Sequence, residues 1–230
     1  MDLTFFETVW PIVWKDVLSE LRAKEVALAM CFFAGLVLII FNFAFFTGLS
    51  APADAAGILA GMLWVAFLFA GMLGLNHTFG AEKDREVLQG LLLCPVSRAA
   101  IYLGKVISNL LFMGLMEILI LALFAVLFRV ALWPMLPALS VILGLGTLGF
   151  VSVGTLLAAM AVNARAREIL LTVILFPMLI PVVIAAVKAT EQVLLGAAWP
   201  DLTGWLKLLL AFDVIFFALA YGTFDAVFAE

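Results

Sequence analysis

VALAMCFFAGLVLIIFNFAFFTGLSAPA, residues 26–53, separates Glu25 from Asp54 by 28 positions without a single charge. A helix rises about 1.5 Å per residue, so roughly 20 apolar residues cross the hydrocarbon core of a bilayer. This run therefore predicts one transmembrane span near 27–48, and the same reading extends outward along the chain. Asp54 to His77 predicts a second span at 55–75. A polar stretch, Asn76 to Lys105, intervenes before a third at 106–128, broken only by Glu117. In RVALWPMLP (129–137) two prolines flank Met135 and Leu136 and discourage a continuous helix, which predicts a turn. A fourth span is predicted at 138–162, closed by Arg165, Arg167 and Glu168, and a fifth at 169–187 with Pro177 and Pro181 inside it. A semi-polar segment at 188–207 precedes a sixth span at 208–225. The predicted fold class is an all-α integral membrane protein: residues 1–26 form an N-terminal helix, and 27–228 a six-span domain.

Composition says the same. Of 230 residues 67% are hydrophobic and 12% charged, against roughly 25% charged in soluble domains, and mean hydropathy is +1.28. No soluble core of this size hides that much apolar surface. Two cysteines and a net charge of −4 exclude a disulfide scaffold and a nucleic-acid binder. Basic residues set the orientation. With the N-terminus inside, nine of twelve Lys and Arg fall on the inner side, and only Arg129, Lys188 and Lys207 on the outer. Both termini are thus expected in the cytoplasm.

The chain starts with Asp2 rather than a basic region, and the cluster Lys15–Glu25 separates the start from the first apolar run, so no signal peptide is expected. Phe6, Trp10, Val13, Trp14, Val17 and Leu21 share one helical face, with Asp16, Ser19 and Arg22 elsewhere. The expectation is an interfacial amphipathic helix with Trp10 and Trp14 at the headgroups. The alternative is a lead-in that packs on the spans. Thr4 and Glu7 have capping-box spacing, while Pro11 could instead mark the helix start.

The stretch NHTFGAEKDREVLQGLLLCPVSRAAIYLGK (76–105) is the longest polar connection. Glu82, Lys83, Asp84, Arg85 and Glu86 are five charges in succession, followed by Leu91, Leu92, Leu93 and Pro95. This pattern reads as a short amphipathic helix over 82–95, a docking surface for something soluble. The order Glu82, Arg85-Glu86, Gly90, the leucines, Pro95, Ser97-Arg98 and Leu103-Gly104-Lys105 resembles the coupling-helix segment of type-2 ABC exporter permeases. Gln89-Gly90 departs from the more usual Gly-Thr-Leu-Glu of that group. Within it, WVAFLFAGMLGLNHTF (64–79), LLLCPVSRAAIYLGK (91–105) and LFPMLIPVVIAAV (175–187) are similar to the CcmB family, the haem-exporter-type permeases of bacterial cytochrome c maturation.

That resemblance implies a six-span permease in the bacterial inner membrane, a second copy of the chain, and a separate ABC ATPase in two copies. It also implies a haem-handling membrane protein and a periplasmic haem chaperone as partners. The sequence holds no Walker A loop: Gly104-Lys105 is followed by Val106 and no strand precedes it. ATP is therefore expected on the partner, docked against 82–95, and the chain itself is not expected to be an enzyme. For 188–207 the resemblance implies short re-entrant or external helices.

Ionisable groups inside a bilayer are costly and are functional candidates. Glu117 and Asp213 are the two such carboxylates; facing the bundle interior they could share a proton or pair helices, or each could be a protonated carboxyl bonded across helices. Asn42 reads as interhelical glue. His77, the only histidine, could contact haem, since imidazole suits iron; a span-end capping role is the plainer reading. Pro177 and Pro181 are hinge candidates or simple packing features. Gly57 and Gly61 form a GxxxG read as close helix packing. No metal-ligand spacing occurs, and no cofactor is expected on this chain beyond haem as cargo.

Three functions compete. The first is an ABC permease driving haem export, or release of the haem-loaded chaperone, for cytochrome c maturation. The second is a type-2 permease for another substrate, such as a lipid-linked glycan or a drug. The third is a proton-coupled carrier using Glu117 and Asp213, against which stands the lack of an internal repeat.

Overall fold

The computed structural model describes residues 5–22, 24–45, 52–84, 98–161 and 167–227. They form seven α-helices among the described residues: α1 (Phe5–Arg22), α2 (Lys24–Phe45), α3 (Pro52–Asp84), α4 (Arg98–Phe128), α5 (Leu136–Ala161), α6 (Arg167–Leu194) and α7 (Trp199–Val227). α2 to α7 are each long and apolar enough to cross a membrane. The chain is a multi-pass membrane protein.

α3 and α5 form the centre. In each, 61% of the span is buried inside the bundle, against 22% in α7. α3 packs on α2 and α6, α5 on α4, α6 and α7, and α1 lies along the first half of α4. Small residues make this possible, because helices in lipid associate through close packing rather than hydrophobic exclusion. A Cβ on Gly146 would stand 2.3 Å from the Trp64 ring, and one on Gly154 would stand 2.5 Å from Leu75. The predicted GxxxG pair is placed differently. Nothing lies within 4 Å of a Cβ on Gly61, and Gly57 faces the Glu191 carboxylate instead of a helix backbone. Tight packing is carried by the glycines of α5.

The spans outrun several predicted ends. α4 begins at Arg98 rather than 106, so Lys105 lies well inside it, fully buried. A charge ends an apolar run only while it must reach water, and Lys105 has a carboxylate partner within the bundle. At the other face of the bundle, the expected re-entrant or external helices over 188–207 are absent. α6 runs on to Leu194 and α7 starts at Trp199. Lys188 and Glu191, paired at 2.8 Å one turn apart, let the helix continue through the polar stretch.

The turn between them is fully specified. Gly196 sits at φ +79°, with Gly196 N–H donating to the Val193 carbonyl and Ala197 N–H to that of Gln192, a Schellman cap. The Asp201 carboxylate then accepts from Ala198 N–H and caps the start of α7. α4 ends in the same way on a non-glycine: Arg129 has φ 52° and Val130 N–H reaches the Ala125 carbonyl. Pro177 and Pro181 lie within α6, both exposed on its outer side. Pro11 does not start α1; the helix is already formed at Phe5.

Candidate coupling interface and buried polar groups

α1 buries a second face, beside the tryptophan-bearing one expected at the lipid interface. Val9, Ile12 and Val13 are buried against Ala100, with Leu103 and Ile107 packed alongside, and Ile12 lies directly over Gly104. Trp10 and Trp14 are 65% and 61% exposed. The helix therefore both packs on a span and presents two tryptophans outward, as an interfacial helix does. The packed stripe 9, 12, 13, 16, 20 continues into two carboxylates. Asp16 and Glu20 are 4% and 7% exposed.

Lys105, 1% exposed, places Nζ 2.7 Å from Asp16 Oδ2, and Lys15 reaches Asp16 Oδ1 at 2.9 Å. One turn along, Glu20 Oε2 lies 3.9 Å from His77 Nδ1 at the end of the second span, a contact that is ionic when the imidazole is protonated. Two charges withdrawn from water cost several kcal/mol each unless paired with good geometry; the 2.7 Å contact supplies it. The sequence carried a signal for this cluster. Carboxylates at i and i+4 in phase with Val9, Ile12 and Val13 demand a cation on the opposing helix. The choice of the tryptophan-bearing face concealed it.

Of the proposed docking residues, Glu82, Lys83 and Asp84 occupy the last turn of α3, whose side chains are not among those described. Arg85, Glu86, Leu91, Leu92, Leu93 and Pro95 lie outside the described residues. On the two described stems of the segment, His77 of α3 faces Glu20 of α1 and Lys105 of α4 pairs with Asp16 of α1.

Glu117 and Asp213 are not brought together. Glu117 accepts a hydrogen bond from the Thr147 hydroxyl on α5. Asp213, 2% exposed, lies against Gly149, and neither carboxyl oxygen has a hydrogen-bond partner among the described residues. Thr147 and Gly149 are two residues apart on α5, hence on opposite faces of that helix. Glu117 and Thr147 border a cavity of about 20 Å³ shared with Met30, Trp64, Met113 and Phe150. That is room for about one water molecule and far below the roughly 300 Å³ at which ligand pockets begin. Asn42 donates to the Leu127 carbonyl at 3.3 Å and joins α2 to α4.

Three further polar contacts escaped the sequence reading. Trp64 Nε1–H donates to Thr190 Oγ1 at 3.0 Å, the Tyr102 hydroxyl to the Ser152 carbonyl at 3.2 Å, and Asn109 Nδ2 to Thr155 Oγ1 at 3.3 Å. Each joins two spans and satisfies groups that have no water to turn to. Nothing in the local pattern distinguishes them from lipid-facing polar residues.

A family model described as CcmB protein matches residues 7–229. A protein named Heme exporter protein B from Pseudomonas aeruginosa is 32% identical over 164 residues, covering 70% of this chain and 73% of its own. Another of that name from Rhodobacter capsulatus is 29% identical over 137 residues, covering 60% and 62%. A third, from Paracoccus denitrificans, is 29% identical over 163 residues, covering 71% and 73%.

Proposed function

The chain belongs to the CcmB protein family, and from that premise we propose that it is the membrane-spanning permease subunit of a haem-exporting ABC complex for cytochrome c maturation. The observation that carries the reading is the family match across 7–229 together with six helices long and apolar enough to cross a membrane. The sequence carries no Walker A phosphate-binding loop. The energy is supplied by a separate ATPase subunit, two copies serving two copies of this chain, docked on 82–95 at the cytoplasmic face of the bacterial inner membrane. Nine of twelve basic residues support the placement of both termini on that side. A haem-handling membrane protein and a periplasmic haem chaperone complete the assembly.

ATP binding and hydrolysis on the partner shift the permease between access states, and the shift is limited to the difference in partner affinity for the two. The water-sized space at Glu117 cannot pass a porphyrin. On this reading haem moves along a surface between this bundle and a second copy or the haem-handling partner.

Reversing Glu82 and Glu86 to lysine tests the docking site. Co-purification of the ATPase subunit in mild detergent is expected to be lost, and unaltered binding refutes the assignment of 82–95.

A further inference from the structure

Docking an ATPase on 82–95 accounts for where force enters the chain, but not for how α1, which precedes all six spans, takes part. α1 directs one carboxylate at each stem of that segment. Asp16 holds Lys105 at 2.7 Å on the stem that leaves the segment, and Glu20 faces His77 at 3.9 Å on the stem that enters it. Resting on the proposed role of 82–95, we infer that Asp16 and Glu20 form a clasp across the two stems. α1 is then carried as one body with α4 and the end of α3 whenever the docked partner displaces the segment.

Four observations support the clasp. Asp16 and Glu20 are four residues apart and so lie one above the other on a single helix face. Both are buried although α1 is otherwise amphipathic, and Lys105 is buried although it stands near the entry to a span. An apolar pair would pack there at equal or lower cost, so the ion pair's contribution is to register rather than to net stability. Ile12 seated on Gly104 keys α1 to the same turn of α4 that carries Lys105. Finally, the outward face of α1 bears Trp10 and Trp14, which anchor in the headgroup layer. A clasped α1 tilts in that layer when the stems move, whereas a loose α1 stays with the lipid. Asp16, Glu20, Lys105 and His77 thus act in this inference as positioning residues for energy coupling.

The test uses the permease with its co-purified ATPase in proteoliposomes, on a background in which Cys31 and Cys94 are serine. The variant Asp16→Leu/Lys105→Met/Glu20→Gln removes the clasp and keeps the buried face packed. The ATPase subunit is expected to remain bound and to hydrolyse ATP. Haem delivered per ATP to an enclosed apo-haemoprotein is expected to fall about tenfold, within the roughly 5–150-fold range of coupling between distant sites. Adding Ile12→Cys/Gly104→Cys and oxidising it replaces the ionic link by a covalent one. Transport per ATP then recovers, and reductant abolishes the recovery. Wild-type transport per ATP in the apolar variant, or oxidation without recovery, overturns the clasp.

Spin labels at Trp14 and at the exposed Leu111 of α4 read the same point in a chain whose clasp is intact. Their separation is expected to stay constant when the ATPase is trapped with ADP and vanadate, and a changed separation refutes the inference. Failure of the docking reading looks different: the ATPase stays bound after Glu82 and Glu86 are reversed, whatever the clasp variants do.

Discussion

Gly146→Ala is the sharpest probe of the central packing. Its Cβ would stand 2.3 Å from Trp64 Cη2 and 2.9 Å from Cζ3. Carbon atoms settle at about 3.5–4.0 Å, so the indole must retreat by about an ångström. It has nowhere to go. Trp64 is 3% exposed, its Nε1–H is held by Thr190 at 3.0 Å, and its ring stands edge-on to Phe67 at 5.7 Å. Overpacking costs about 1–3 kcal/mol and a lost buried hydrogen bond about 0.5–1.5 kcal/mol. Against this, replacing glycine by alanine inside a helix contributes about 1 kcal/mol. The net expectation is a loss of about 1–3 kcal/mol, or roughly 2–10 °C in unfolding midpoint for a chain of this size.

Gly144→Ala is the control, on the same helix with nothing within 4 Å of the new methyl. It is expected to stabilise by about 0.5–1 kcal/mol. Combining Gly146→Ala with Trp64→Phe, which withdraws the clashing ring atoms, should cost less than the two changes added together. The assay is unfolding in mixed micelles titrated with sodium dodecyl sulfate, followed by tryptophan fluorescence, with circular dichroism replacing it for the Trp64 variants. Equal stability of Gly146→Ala and Gly144→Ala refutes the argument.

Two further perturbations bear on the polar groups and caps. Asp213→Leu removes a buried carboxyl that has no hydrogen-bond partner among the described residues, so the unfolding midpoint is expected to rise, by about 1–2 kcal/mol of stability; a fall would reveal a partner for the carboxyl. Arg129→Gly relieves a left-handed backbone at the end of α4 and is expected to stabilise by about 1 kcal/mol in the same titration, with an unchanged midpoint counting against strain at that position.

How far such features are legible in a linear sequence depends on their range. The six spans are local properties, because a run of apolar residues as long as the bilayer is thick needs no neighbour to define it. Span ends are less local. Lys105 reads as a boundary until Asp16, 89 residues away, neutralises it, and Lys188 reads as the start of a polar loop until Glu191 joins it on the helix surface. The Schellman turn at Gly196 was visible only as a single glycine in a semi-polar stretch, because the same residues suit an external segment as well as a tight cap. The second, buried face of α1 was overlooked for a related reason. Two tryptophans in phase with Val13 outweigh two carboxylates in a hydropathy pattern, yet indole rings serve a lipid interface while carboxylates with a cation opposite serve a buried seam.

What the amino-acid sequence determined by itself was the solvent: 67% hydrophobic residues in charge-free runs admit only a membrane. It also carried the family, through motifs between residues 64 and 187, and the family match runs over 7–229. Only the tertiary structure decided which buried charges meet, that Glu117 and Asp213 face apart across α5, and that Asp16 and Glu20 of α1 lie against Lys105 and His77. The physical reason is that hydrophobic transfer sums residue by residue, whereas an ion pair or a glycine contact is a relation between two positions, defined only when the chain has brought them together.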